Sequence, residues 1–468
     1  MRTLRSLVKW MVPGMGVKRW LFLFLLGLAS FTIGIVMYVK WGWSMWLEYH
    51  VIGPLFALTG GYLPKPSMYQ LMALVGLVLM VVGIRQWFST IYGVVVPYNA
   101  RRLVDMMYER RALAHRSSLV AVGGGTGLAA LLRGLKSFTS NITAVVTVSD
   151  DGGSSGRLRK DLGLLPPGDI RNCLVALADD DTLLSDLFQY RFNEGGDLSG
   201  HSFGNLFLAA LTDVAGDFDK AVKLSSKILA IRGKVLPGTL GHTSLCAEFV
   251  DGTTVEGESE IPKQLKKIKR VWLNPPDCEP LDEVLKEIAE AHAIILGPGS
   301  LFTSVIPNLL VRNVVDALAA APGLRIYVCN VMTQPGETDG FSAADHLKAI
   351  FKHTGGKRIV DVALVNQEVP RLLLERYVAE GAFPVEADLA EIERLGVRPV
   401  ATNLISETDL VRHDPQRLAE AIRKLLDEQM ERGESLPPAV KPGLWSRYAG
   451  RVGRRVEKLA AAPEEAQL

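Results

Sequence analysis

The chain has 468 residues, 48% of them hydrophobic and 22% charged, with a formal net charge of +2. That composition excludes a disordered or collagen-like chain and leaves room for about two to four domains with large cores. The charge is uneven: residues 1–116 hold 13 Lys/Arg against 3 Asp/Glu, and the remainder holds 39 against 47. A basic, apolar head therefore precedes an acidic globular body.

In the head, Trp20 to Val39 carries no charge and is nearly all apolar, long enough to cross a bilayer as a helix. Pro66 to Ile84, extended by Trp87 and Phe88, forms a second such run. Two transmembrane helices are expected, over about residues 20–39 and 66–88, within an anchor at 1–97. A cleaved signal peptide is the alternative for the first run, but no small-x-small cleavage site is clear and a second span follows. Arg2, Arg5, Lys9, Lys18 and Arg19 precede the first uncharged run, and Arg85, Arg101, Arg102, Arg110, Arg111 and Arg116 lie after the second. Only Lys40 and Lys65 lie between, so the positive-inside rule places the N-terminus and the body in the cytoplasm. Trp41, Trp43, Trp46 and Tyr49 suit an outer interfacial belt or plain packing. Residues 98–116 read as a basic linker helix, either lying on anionic lipid or solvated.

The body, expected over 117–432, opens with a βαβ unit. Leu119 to Val122 is a short apolar run, Gly123-Gly124-Gly125-Thr126-Gly127 is a glycine turn, and Leu128, Leu131, Leu132 and Leu135 have helical spacing. A second apolar run, Ile142 to Val148, ends in a loop holding Asp150, Asp151 and Gly152. Glycines let the backbone approach a ligand, and amides at a helix start favour an anion such as a pyrophosphate. Gly125, Gly127 and Ala130 fit G-x-G-x-x-A, with Asp150 or Asp151 near the distance of a ribose-binding acid. The plain alternative is a tight βα connection.

Further along, Pro166-Pro167-Gly168-Asp169 feeds a helix that Asp169 either caps or leaves free for ligand contact, with Arg171 and Asn172 beside it. His201, Ser202 and Asn205 share a glycine-lined loop, where His201 is either structural or catalytic. Arg232 and Lys234 flank another turn and meet either phosphate or solvent. Leu245 to Val250 and Thr253 to Ile261 bracket Asp251-Gly252 as a hairpin, and Val271 to Leu273 supplies a third strand of a small antiparallel insertion. The basic run Lys263 to Arg270 suggests nucleic acid, a reading opposed by the acidic balance of the body.

Ala293 to Leu296 reads as a buried strand running into Gly297-Pro298-Gly299-Ser300, where Ser300, Thr303 and Ser304 face phosphate or cap a helix that includes Asn308 to Ala319. Ile326 to Cys329 is another strand, followed by the polar loop Asn330 to Gly340 and a capping-box start at Ser342 to Asp345. Val360 to Val365 is the last strand expected in the core, and residues 433–468 read as a loose tail. Cys173, Cys246, Cys278 and Cys329 lack the paired spacing of zinc or redox sites and read as ordinary thiols.

Seven motifs in order, GGGTG, TVSDDGGSSGRLR, PPGDIRN, GHSFGNL, RGKVLPGT, LGPGSLFTSVIPNLLV and NVMTQPGETDGF, resemble the gluconeogenesis factor family, the YvcK-like proteins. The resemblance covers about residues 118–430. It implies a fold similar to the 2-phospho-L-lactate transferases, an α/β Rossmann-like parallel sheet in three layers, here with the small insertion and the two preceding spans. It also implies binding of UDP-sugars, notably UDP-N-acetylglucosamine, and a role in cell shape, peptidoglycan supply and growth on gluconeogenic carbon sources; the location expected from the two spans is the bacterial cytoplasmic membrane. The family offers no established reaction, and the two spans depart from its soluble pattern.

Two function classes follow. In the first the body is a sensor in which Gly123 to Gly127 with Gly297, Gly299 and Ser300 hold the diphosphate and nucleoside, Asp150, Asp169 and Asn205 orient hydroxyls or the base, and a cell-wall enzyme is the partner. A homo-oligomer is expected. In the second it is a transferase, with Asp150 or Asp151 holding Mg²⁺ against the diphosphate and His201 moving a proton. A nicotinamide dehydrogenase is a third class, opposed by the off-pattern fingerprint and the lack of a catalytic pair.

Overall fold

The computed structural model describes residues 17–39, 50, 65–95, 117–178, 183–194, 196–369, 374–407 and 411–431. The expected linker helix at 98–116, the aromatic belt at 41–49, the flanking charges at 2–9 and 101–116 and the tail at 433–468 lie outside the described residues. The described residues fall into two compact units, one before position 110 and one after it.

The first unit is a helical hairpin. Helices α1 (Val17–Val39) and α2 (Lys65–Val95) contain apolar stretches of 20 and 22 residues, each long enough to cross a membrane. Their seam is built on small residues. A Cβ placed on Gly27 would lie 2.7 Å from the Gly76 carbonyl oxygen, and one on Gly34 would lie 2.6 Å from the Ala73 amide nitrogen. Gly27 and Gly34 on one helix, with Gly76 and Gly83 on the other, repeat at seven residues, so the same face of each helix admits backbone contact. The Ser30 hydroxyl donates to the Met72 carbonyl oxygen at 3.1 Å across the seam.

The second unit is built on a seven-stranded parallel sheet. In chain order its elements begin with β1 (Leu119–Gly123), α3 (Gly125–Phe138), β2 (Ile142–Val146), α4 (Gly153–Leu162), α5 (Gly168–Leu177), α6 (Phe203–Ala215) and β3 (Lys234–Pro237). The antiparallel insertion β4 (Ser244–Phe249), β5 (Thr254–Glu256) and β6 (Ile268–Asn274) follows. The chain then returns through β7 (Ala293–Leu296), α7 (Ile306–Leu309), α8 (Val314–Ala320), β8 (Leu324–Val328), α9 (Ala343–His353), β9 (Val362–Asn366) and β10 (Arg398–Thr402). A two-stranded ribbon, β11 (Ile405–Glu407) and β12 (Val411–His413), leads into α10 (Pro415–Glu431).

Sheet order is β10-β9-β8-β7-β1-β2-β3, so the chain winds outward one way from β1 and the other way from β7. Every residue of β1, β2, β7 and β9 is buried, as in a sheet covered on both faces. Val120, Val122, Ile294 and Leu296 enter one core, whereas Leu119, Ala121, Ala293 and Ile295 enter the other. This alternation gives three layers, as expected of the α/β reading. Helix α3 lies directly against the start of α10, since a Cβ on Gly134 would collide with the Pro415 carbonyl.

Several local expectations need correction. The helix expected over Asn308 to Ala319 is broken: a π-turn at Leu301–Val305 leads into α7, and Asn313 at φ +61° separates α7 from α8. Strands β3 and β10 were not anticipated. Lys234, at the start of β3, pairs with Glu287 at 2.6 Å rather than facing a phosphate. The insertion's basic run is likewise paired, Lys266 with Asp251 at 2.7 Å and both Lys269 and Arg270 with Glu248 at 2.6 Å. The Ser342–Asp345 capping box forms at α9, and all four cysteines are buried free thiols.

Candidate functional site at the sheet switch point

Strands β1 and β7 are neighbours in register, Val122 beside Leu296, and the chain leaves their C-terminal ends in opposite directions. A crevice opens at such a switch point. Both glycine corners lie there. Gly125 adopts φ +64°, turning the chain at once from β1 into α3. Its N-cap Gly124 offers no side-chain cap, so the first-turn amides of α3 depend on partners outside the helix. A Cβ on Gly127 would lie 2.6 Å from the Pro298 carbonyl oxygen, so the two corners touch only because that side chain is missing.

The loop after β8 braces the second corner. Asn330 receives the Gly299 amide on its side-chain oxygen at 3.2 Å and donates its side-chain nitrogen to the Gly299 carbonyl at 2.8 Å. The Ser300 hydroxyl donates to the Gln334 side-chain oxygen at 2.6 Å. The resulting cleft has a volume of about 560 Å³ and is lined by both corners, by Asp150, Asp169, Glu258 and Glu337, and by Arg412 and His413.

The cleft lining holds four acids, Asp150, Asp169, Glu258 and Glu337. Asp150 accepts the Gly152 amide at 2.8 Å, yet burial still raises its carboxyl above the usual value. Burial, with Asp150 adding like charge, pushes Asp169 up to about 6. Glu258 accepts from the Ser149 hydroxyl at 2.8 Å and is held well above its usual value by burial and then by Asp150 and Asp169. Burial likewise raises Glu337 to about 7. Arg412 is the one guanidinium in the lining among the described residues. Burial holds the His413 imidazole near 4 and therefore neutral at ordinary pH. Among the described residues, no three His, Cys, Asp or Glu side chains are grouped so as to hold a metal ion.

Of the residues singled out in the sequence, Gly124, Gly125, Thr126, Gly127, Asp150, Asp169, Gly299 and Ser300 line this cleft. Gly123 and Gly297 end their strands behind it. Asp169 does not cap α5, whose N-cap is Pro167, and its carboxyl instead faces the Gly125 amide. Asp151 turns away and accepts the Ser259 amide at 2.8 Å. Gly152 is the N-cap of α4. Asn172 accepts from the Arg171 guanidinium at 2.7 Å. His201 and Asn205 meet at Ser154, at 2.9 and 3.0 Å, in a buried cluster that contributes nothing to the lining. Burial and the nearby Arg157 lower the His201 imidazole.

Sequence reasoning gave no role to Glu258, Asn330, Gln334, Glu337, Arg412 or His413. The strand-then-polar-loop pattern after β8 was the signal for three of them. Glu258 had none, because it reaches the cleft only through the insertion, whose Leu245 and Phe249 share a core with Val122 and Leu296 of the sheet.

Fold and cleft together define a doubly wound α/β protein with a glycine-lined pocket at its switch point. Residues 119–405 match the family model of the 2-phospho-L-lactate transferase CofD. The gluconeogenesis factor of Bacillus subtilis is 49% identical over 318 residues, 68% of this chain and 100% of its own length. A Nostoc sp. relative is 48% identical over 419 residues, 89% of this chain and 92% of its own, a match too long to lie wholly after residue 116. A crystal structure of a UPF0052 family member from Bacillus halodurans superposes with a TM-score of 0.64 at 51% identity, over 66% of this chain and 99% of that one. The chain belongs to the gluconeogenesis factor family and carries its CofD-like domain.

Proposed function

We propose that the protein is a regulatory sensor of UDP-sugars, UDP-N-acetylglucosamine foremost, held at the bacterial cytoplasmic membrane by α1 and α2 with its body in the cytoplasm. The observation that carries this reading is the contact of two glycine corners in one cleft at the sheet switch point. Helix-start amides and Arg412 suit a diphosphate. Half-buried Asp150, Asp169 and Glu258 suit ribose or sugar hydroxyls, and the cleft volume is in the range that encloses a small ligand. The reading extends to a homo-oligomer that reports sugar supply to a cell-wall synthesis enzyme, and so to cell shape, peptidoglycan supply and growth on gluconeogenic carbon. Nucleic acid has no part in it.

Calorimetry on the full chain in detergent tests the ligand. Saturable heat with UDP-N-acetylglucosamine, lost in Gly127→Val, is expected. Silence with every UDP-sugar overturns the reading. Release of the protein from membranes by salt alone would overturn the anchor.

The CofD match favours a second reading, a transferase acting on a diphosphate-linked substrate. Mg²⁺ commonly takes one or two protein carboxylates together with ligand phosphates, and Asp150 with Asp169 fit that demand. The ion would supply positive charge against the diphosphate. Asp150 and Asp169 would hold it, while Arg412 and the amides orient the phosphates. Product analysis after incubation with UDP-N-acetylglucosamine and Mg²⁺ separates the readings: turnover lost in Asp150→Ala, with binding kept, establishes the enzyme.

A further inference from the structure

The Ser30, Thr32 and Thr90 hydroxyls of the helical hairpin each donate to one of its own backbone carbonyls, at 3.1, 2.8 and 2.8 Å. Gln70 on α2 is different. Its side chain is exposed, and among the described residues no hydrogen bond reaches its amide. Lys65 and Arg85 bracket the apolar run of α2 and stand about 30 Å apart along the axis, the thickness of a hydrocarbon core. Gln70 lies about 7.5 Å inside the first of them. At that depth a donor and an acceptor without partners are costly. Gln86, the other amide of the helix, lies beside Arg85 at the opposite boundary.

Gln70 also heads a stripe. Gln70, Leu74, Leu77, Val81, Ile84 and Phe88 recur at alternating intervals of four and three, the spacing of a left-handed helix seam, and the apolar members are 43% to 58% exposed. They stand apart from the glycine seam with α1, which uses Gly76 and Gly83. Beside the first half of the stripe, Phe31, Ile35 and Tyr38 of α1 form the other wall of a groove of about 300 Å³. Lipid covers an apolar stripe as well as protein does, so the stripe selects no occupant. The amide at its head does.

We propose that this groove is the seam between two copies of the chain, in which the Gln70 amides of the two α2 helices hydrogen-bond to each other. The chemistry favours a second copy on three counts. A primary amide presents a positive N–H and a negative carbonyl, so its charge pattern is complementary to itself. Copies inserted in the same orientation hold Gln70 at equal depth about a twofold axis along the membrane normal. The same orientation makes the two α2 helices parallel, and four-three spacing suits a parallel left-handed crossing. Acyl chains supply neither donor nor acceptor, and a foreign helix meets the need only with a polar residue of its own at that depth. The inference rests on the reading of α1 and α2 as membrane spans and gives the homo-oligomer of that reading a surface; ligand binding plays no part in it.

The test is disulfide trapping on the full chain, in the cell membrane and in vesicles holding only the purified protein. Leu74→Cys puts a thiol in the stripe one turn from Gln70. Val75→Cys puts one at nearly the same depth but roughly a quarter of a turn away, on a face left to lipid. The native cysteines are buried in the body and keep the background low. Oxidation should link Leu74→Cys into dimers in both membranes and leave Val75→Cys monomeric. Gln70→Leu, which only makes the span more apolar, should cut the linked fraction when added to Leu74→Cys. Energy transfer between labelled copies in vesicles diluted with lipid should show the same change weakening association roughly threefold to thirtyfold. An undiminished dimer in Gln70→Leu overturns the proposal, as does equal linking at both positions. A chain monomeric in vesicles but linked to a different protein in the cell membrane gives the groove to a foreign helix and overturns it too. Dimers that form without linking at Leu74→Cys place the oligomer elsewhere, so the proposal fails and the homo-oligomer stands. Release from membranes by salt alone would sink the membrane reading and this inference together.

Discussion

The side-chain nitrogen of Asn308 lies 3.0 Å from the carbonyl oxygen of Gly123 and 2.9 Å from that of Ser304. One buried amide thus ties the end of β1 to the helix behind the second glycine corner. The cleft keeps its shape because the two corners share this brace as well as direct contact.

Replacing Asn308 with Leu removes both hydrogen bonds and leaves their acceptors less satisfied in a buried place. The expected loss is about 1–3 kcal/mol. Thermal melting of the full chain in detergent should show a lower midpoint, and under the proposed function UDP-sugar binding should weaken with it.

Gly127→Ala places a methyl group against the Pro298 carbonyl, 2.6 Å away, where backbone rather than a flexible side chain must yield. Overpacking of this kind costs about 1–3 kcal/mol. A crystal structure of the variant should show the 297–300 corner displaced from α3. An unmoved corner with unchanged stability would contradict the contact.

Asp169 titrates at about 6 in the folded protein against an ordinary 3.8. The folded protein therefore retains a proton there that the unfolded chain has released. The stability involved is fully present below the ordinary value and is lost as pH rises through about 6. The whole loss is on the order of 3 kcal/mol. Asp169→Asn keeps an acceptor toward the Gly125 amide and removes the titration. It should melt above wild type at about pH 8 and level with it near about pH 3, where the carboxyl is neutral in both the folded and the unfolded chain. A constant difference across that range would count against the assignment.

In the hairpin, Gly76→Leu sets a side chain against the Phe31 and Gly27 backbones. The close seam cannot then form, and α1 and α2 must separate by more than a methyl group. Disulfide trapping between Ser30→Cys and Met72→Cys should be efficient in an otherwise wild-type chain and fail when Gly76→Leu is added.

The parallel strands were legible because a strand buried on both faces is a continuous apolar run, as in Ile142 to Val146 and Ala293 to Leu296. Strands β3 and β10 escaped notice for the complementary reason. Each is a short edge strand containing proline, Pro237 or Pro399, and an edge carries a weaker apolar signature. The glycine corners could be read because tight turning is a local property. Adjacent acids could not be assigned from the chain, since Asp150 faces the cleft and Asp151 the insertion. Glu258 and Glu337 are functional candidates only through what folds over them, and the pairing of Gln334 with Glu337 becomes meaningful once both sit beside Thr303.

The contact of Gly134 with Pro415 bears on how the protein is made. Helix α3 emerges early in translation, but the helix that shields it is the last described element to leave the ribosome. At synthesis rates of about 5–20 residues per second, α3 waits on the order of tens of seconds with an apolar flank bare. A premature stop just before residue 415 would leave both glycine corners encoded and that flank permanently uncovered. Such fragments should be taken up by chaperones or proteases rather than persist as partial binders.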